Sequence, residues 1–170
     1  MDVKRILVNT KTSEDHLLEK RMRSLQGQKP FSLEPCGTLR GVNLINDSAA
    51  TSIEKVADSL IQFDQPIIWI AEVNSENVDF SILLDLMKSK VKAVVVVGEF
   101  AGDLHHALSG KLGFFVSANT WEEALDMSLI LGKKDDTILF SPGCRANEPF
   151  ENYKKRGEHW NRIIDIYGRE

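Results

Sequence analysis

The chain has 170 residues, enough for one domain with a sizeable core. Its hydrophobic (42%) and charged (27%) fractions are ordinary for a globular protein, and its net charge of −4 is spread without a basic tract, which gives no reason to expect nucleic-acid binding. The longest apolar run, Ala93 to Val97, is too short to span a membrane, and the start Met1-Asp2-Val3-Lys4-Arg5 opens no secretory signal, so a cytoplasmic location is the default.

Short apolar runs alternate with amphipathic segments along the chain. Ile6-Leu7-Val8 reads as a strand and Ser13 to Leu25 as a helix. The stretch from Gln26 to Gly41, with Pro30, Pro35 and three glycines, either separates this N-terminal unit from the rest or contains an irregular strand. Val42 to Ile45 is the next strand. Thr51 and Glu54 have capping-box spacing before Val56, Ala57, Leu60 and Ile61, which predicts a helix. Pro66 to Ile70 is a further strand, and Phe80 to Leu86 is apolar at helical spacing. Strands follow at Ala93 to Val97 and Gly113 to Val116. Thr120 and Glu123 repeat the capping-box spacing before Ala124, Leu125, Leu129 and Ile130. Thr137 to Phe140 is the last strand, and Phe150 to Tyr167 a terminal helix that Gly157 weakens by ~1 kcal/mol.

The strand runs are continuous and not alternating, as expected for strands covered on both faces. The expected fold is therefore α/β, a doubly wound, mainly parallel sheet of about six strands in a single domain over residues 1–170, with residues 1–25 as an N-terminal extension. In such sheets, sites gather at the carboxyl ends of strands. The residues there are Asn46-Asp47-Ser48, Glu72 to Asn77, Gly98-Glu99, and Ser141 to Asn147. Asn46 to Thr51 follows a strand and opens a helix, where backbone N–H groups and short polar side chains can hold an anion or simply cap the helix. Ser141-Pro142-Gly143-Cys144 is either a similar anion site or a tight turn.

Taken together, three segments resemble the C-terminal domain of the Mur ligases, and of the D-glutamate-adding member in particular. They are Gly41 to Thr51, Leu139 to Cys144, and Phe150 to Gly157, in that order. Pro66 to Ile70 followed by Asp79-Phe80-Ser81, and Lys90 to Ala93 leading to Gly98, also fit; the resemblance spans roughly residues 24 to 168. It implies a Rossmann-like domain that brings an incoming amino acid to an acyl phosphate in peptidoglycan synthesis, while ATP and Mg are held by a separate domain. No Gly-Lys-Ser/Thr phosphate loop occurs in this chain, whose Gly-Lys pairs are Gly110-Lys111 and Gly132-Lys133. The resemblance thus implies no cofactor held by this chain alone.

The ligand positions implied by the resemblance are altered. Where the family has Gly-Gly-x-x-Lys-Gly, this chain has Glu72-Val73-Asn74-Ser75-Glu76-Asn77, so that Glu76 stands in place of the substrate-binding lysine. An attraction of ~4 kcal/mol between unit charges at about 4 Å, at an effective dielectric near 20, becomes comparable repulsion. A second lysine is Ala49, a substrate-contacting serine is Ala146, a phenylalanine near the substrate is Tyr153, and an arginine near ATP is Ser32. Asp47 on the nucleotide side and Thr51 on the substrate-carboxylate side are kept, as are the turn residues Ser141, Pro142, Gly143, Asn152, Arg156 and Gly157.

The candidate ligand residues are Asn46, Asp47, Ser48, Thr51, Glu76, Ser141, Arg145 and Tyr153, with none assigned to catalysis. Arg145 is a new cation that either pairs with Glu76, receives a small anionic ligand, or is a solvated loop residue. Cys36 and Cys144 lie far apart, without CxxC or Cys/His spacing, and read as reduced thiols; the resemblance makes Cys144 structural. His105-His106 cannot share one helix face and make a poor metal pair. Trp69, Trp121 and Trp160 read as core or rim.

Two functions are open on this reading. One is a non-catalytic binding or regulatory domain, whose partner is a small ligand or another protein. The other is one part of an ATP-dependent ligase that works with a Mur ligase N-terminal and central-domain chain. Met1 and the strand at Ile6 favour a complete product over an excised piece.

Overall fold

The computed structural model describes residues 29–169. The expected strand at Ile6 and helix from Ser13 lie outside the described residues. The rest is a six-stranded sheet in the order β1-β2-β6-β3-β4-β5. Its strands are β1 (Glu34–Leu39), β2 (Val42–Asn46), β3 (Ile67–Glu72), β4 (Val91–Val97), β5 (Phe114–Ala118) and β6 (Thr137–Phe140). Only the β1–β2 pair is antiparallel; the other four pairs are parallel.

Continuous apolar runs feed both faces of the sheet. From β3, Ile67, Trp69 and Ala71 enter one cluster with α1 (Ile53–Leu60), a 3-10 turn (Ser81–Leu83), α2 (Leu84–Lys90) and α3 (Ala101–Leu108). Ile68 and Ile70 point the other way, into a second cluster under α4 (Trp121–Leu131) and α5 (Tyr153–Tyr167). The second cluster is organised by Phe140 on β6, which stacks on Trp160 at 4.4 Å and meets Trp121 edge-on at 4.9 Å. All three tryptophans are buried, so they are core residues.

One open alternative is resolved, in favour of an irregular strand, and one local expectation changes. The irregular stretch before Gly41 contains β1, whose pairing with β2 slips between Pro35 and Gly37. The first helix is capped by Ser52 and not by Thr51: Ser52 has extended backbone and accepts from the Lys55 N–H, which moves the start by one residue. Thr120 caps α4 as the spacing predicts, accepting from Glu123 N at 3.1 Å. Glu123 turns back to Asn119, accepting from its backbone N–H at 2.7 Å.

Asn152 caps α5 through two backbone N–H groups, and the helix runs unbroken through Gly157. That glycine is there for packing: a Cβ on it would stand 2.6 Å from the Phe31 ring. Gly157→Ala is therefore expected to destabilise the domain by about 1–3 kcal/mol through overpacking, despite the ~1 kcal/mol by which alanine favours a helix. A urea titration checks the sign; a raised midpoint would show that Phe31 yields freely. Among the described residues no helix is long and apolar enough to cross a membrane.

Candidate functional site

β6 returns to lie between β2 and β3. The chain leaves β2 into α1 on one face of the sheet, but leaves β6 towards α5 on the other. Connections that diverge from neighbouring strands open a crevice at their carboxyl ends. Asn46-Asp47-Ser48, Glu72 and Ser141 to Cys144 converge there, as expected. Backbone bonds carry the strand pairing into the turns: Asp47 N donates to Phe140 O, Ser141 N to Ile70 O, and Glu72 N to Pro142 O.

Arg156, on the first turn of α5, fills the crevice and is buried. Its Nε donates to Ser48 Oγ at 3.1 Å, and one terminal nitrogen donates to the carbonyls of Ser48 (3.1 Å) and Cys144 (3.0 Å). The other donates to Glu72 Oε2 at 2.8 Å, in an ion pair whose side chains are 1% and 11% exposed. A guanidinium suits this because its donors form a rigid planar fork. Ser48 Oγ in turn donates to Tyr153 O, and Asn46 donates to Gly157 O and Asn161 Oδ1. The half-buried Cys144 thiol donates to Glu72 Oε2 at 3.3 Å; burial above all, then the Glu72 charge, pushes it up to about 12. Cys36 is likewise pushed up to about 12, chiefly by burial, so neither free thiol supplies a thiolate at neutral pH.

Asp47 is the second hub. Its Oδ2 accepts from Ser59 and Ser141, both at 2.7 Å, and its Oδ1 accepts from Leu33 N at 3.1 Å. Burial raises the carboxyl to about 6 even though these donors and Lys55 pull it down. Thr51 is half-buried and accepts from Lys55 Nζ at 3.0 Å. Glu76 and Arg145 are exposed, and among the described residues they form no ion pair with each other; Arg145 O instead accepts from Asn74. The structure thus brings Asn46, Asp47, Ser48, Ser141 and the Tyr153 backbone together, and leaves Glu76 and Arg145 on the rim.

Sequence reasoning placed Glu72 at a strand end but gave it no part in the crevice, and it missed Ser59. A signal existed for both: a carboxylate ends an otherwise apolar strand, and a serine sits between Ala57 and Leu60 on the buried side of α1. Asp47, the nucleotide-side aspartate of the resemblance, commits both oxygens to its own chain. Among the described residues no group of three or more His, Cys, Asp or Glu could hold a metal ion.

No family model matches the chain. Over 152 residues it is 32% identical to the UDP-N-acetylmuramoylalanine--D-glutamate ligase of Salinibacter ruber, a match that covers 89% of this chain. The chain is a relative of the D-glutamate-adding Mur ligases. It spans only about a third of their length: 33% of the Salinibacter enzyme, and 35% of the ligase of the same name from Chlamydia caviae, to which it is 32% identical over 149 residues. The match is thus to a C-terminal-domain-like portion of a Mur ligase. A crystal structure of MurF from Acinetobacter baumannii superposes with a TM-score of 0.47 at 19% identity, covering 82% of this chain and 30% of that one.

Proposed function

We propose that this Mur ligase relative is a binding or regulatory domain that does not itself join an amino acid to a nucleotide-linked acid. Glu72 carries the reading. It stands where the resemblance implies a glycine, and its carboxylate sits 2.8 Å from Arg156 inside the crevice. The chain's own carboxylate therefore occupies ground that a glycine would leave open to a ligand. Glu76 adds a second negative charge at the exposed rim, where the resemblance implies a cation. An acidic amino acid approaching this crevice meets repulsion from both. The exposed rim cation is Arg145, which suits a small anion or an acidic surface of a partner protein. The net charge of −4 gives no reason to expect a nucleic-acid partner.

A second reading, part of an ATP-dependent ligase that works with separate nucleotide-binding domains, is favoured by Asp47 and Thr51, which keep the family residue at both positions. Thermal-shift titration of the chain with D-glutamate, ATP with Mg, and a UDP-sugar peptide separates the two. We expect no shift with D-glutamate in the wild-type chain, and a shift of about 3–5 °C at ten times the dissociation constant in a Glu72→Gly, Glu76→Lys variant. Stabilisation of the wild-type chain by D-glutamate, or ATP-dependent ligation by the chain alone, would overturn the first reading.

A further inference from the structure

We infer that β5 is a dimerisation edge: a second copy of this chain adds its own β5 antiparallel, joining two six-stranded sheets into one. The sheet ends in two edge strands, and the sequence treats them differently. β1 is guarded. Pro35 lacks an N–H, the register slips between Pro35 and Gly37, exposed Glu34 carries a charge, and Cys36 Sγ donates to Asn161 of α5. β5 has none of these devices. Gly113 to Ala118 contains no charge and no proline, and its register with β4 runs unbroken from Phe114 to Ala118. Among the described residues nothing pairs with its outer side. Such an edge presents unpaired N–H and C=O groups to any strand that fits them.

The contrast between the edges selects the occupant. With β1 blunted, β5 of one copy meets β5 of another, and the two-fold pair closes because neither copy keeps a second open edge. The side chains fit this partner. Centred on Val116, an antiparallel pair sets Phe114 opposite Ala118 and Phe115 opposite Ser117, large against small on both faces. Phe114 is 57% exposed, much for so large an apolar side chain, and it shares the α4 face of the strand with half-buried Val116. On the α3 face half-buried Phe115 packs with exposed His105, their ring centroids 4.6 Å apart.

Charge fixes the direction. Exposed Lys111 precedes β5. Just past the strand, Glu123 accepts from the backbone and side-chain N–H groups of Asn119 at 2.7 and 3.0 Å. Both bonds fall on Oε2, which leaves Oε1 for a cation. Antiparallel pairing brings each Lys111 to the Asn119–Glu123 corner of the other copy, whereas parallel pairing sets like charges together. A short strand pair with its flanking side chains stands near the ~1,200 Å² lower end of specific interfaces, which points to a dissociation constant of roughly micromolar order. The crevice at Glu72 and Arg156 takes no part in this contact.

Sedimentation velocity of the full chain, from about 1 μM to about 1 mM, tests the inference. A monomer–dimer equilibrium that stops at the dimer is expected. Phe114→Lys and Ser117→Lys, both at exposed positions, should each leave a folded monomer with association weakened at least about a hundredfold. Lys111→Glu should weaken it about tenfold, because two contacts per dimer turn from attraction to repulsion, and adding Glu123→Lys should restore it. A chain that stays monomeric at millimolar concentration overturns the inference, as would follow if residues 1–28 of the same chain lay along β5. So does a dimer that survives both edge lysines, which would place the contact elsewhere. Assemblies that keep growing past the dimer overturn it as well.

Discussion

Arg156→Ala is expected to remove about 3–5 kcal/mol of stability, because it deletes one partner of a buried pair and leaves the other. Glu72, 11% exposed, would lose its cation, and the carbonyls of Ser48 and Cys144 would lose donors without gaining water. A domain of this kind has about 5–15 kcal/mol in all, so the variant should unfold at a much lower urea concentration. Arg156→Lys restores the charge but not the planar fork, and cannot reach Ser48 Oγ, two carbonyls and Glu72 together, so it should recover only a minor part of the loss. Glu72→Gln keeps the shape and one hydrogen bond and should cost about 1–2 kcal/mol. A double-mutant cycle between the two positions should show a coupling above about 1 kcal/mol. An Arg156→Ala variant within 1 kcal/mol of the parent would mean that solvent enters the crevice freely and replaces the lost donors.

Why one part of this molecule was legible in the sequence and another was not follows from the range of the interactions. The parallel strands were legible because burial on both faces demands unbroken apolar runs; Thr137 to Phe140 matches β6 at both ends. β1 was legible only as one of two options, an irregular strand or a separator, because Pro35 and Gly37 break the pattern and its strand character comes from pairing with β2. The helix start at Ser52 was misplaced by one residue because two adjacent hydroxyl residues can both cap, and only the backbone angle decides between them. The candidate site was legible as a location but not as chemistry. Asn46, Asp47, Ser48 and Ser141 do converge at the strand ends. Their hydrogen bonds, however, run to Ser59, Gly157 and Tyr153. The partner that closes the crevice, Glu72, is 84 residues from Arg156, and no local pattern joins them.

Asp47→Asn is expected to stabilise the protein at pH 7, which is unusual for the loss of a residue holding three hydrogen bonds. The carboxyl is raised from its ordinary 3.8 to about 6, with burial as the leading cause. The folded state therefore holds this proton more tightly than the unfolded chain does. The stability it contributes is fully present below about pH 4 and is lost as the pH rises through about 6. Two pH units correspond to about 2–3 kcal/mol, so at neutral pH the ionised Asp47 costs the fold an amount of that order. Asparagine fits the same place. Its carbonyl can still accept from Leu33 N, and its amide can donate to Ser59 and Ser141, whose hydroxyls rotate to accept. The difference in urea stability between parent and variant should thus be small near pH 4, grow through pH 6 and level off near pH 7, with the variant ahead. A flat difference across that range would show that Asp47 titrates normally. A variant less stable at pH 7 would show that the charge itself holds the three segments together. If the expected result holds, the fold does not need this carboxylate.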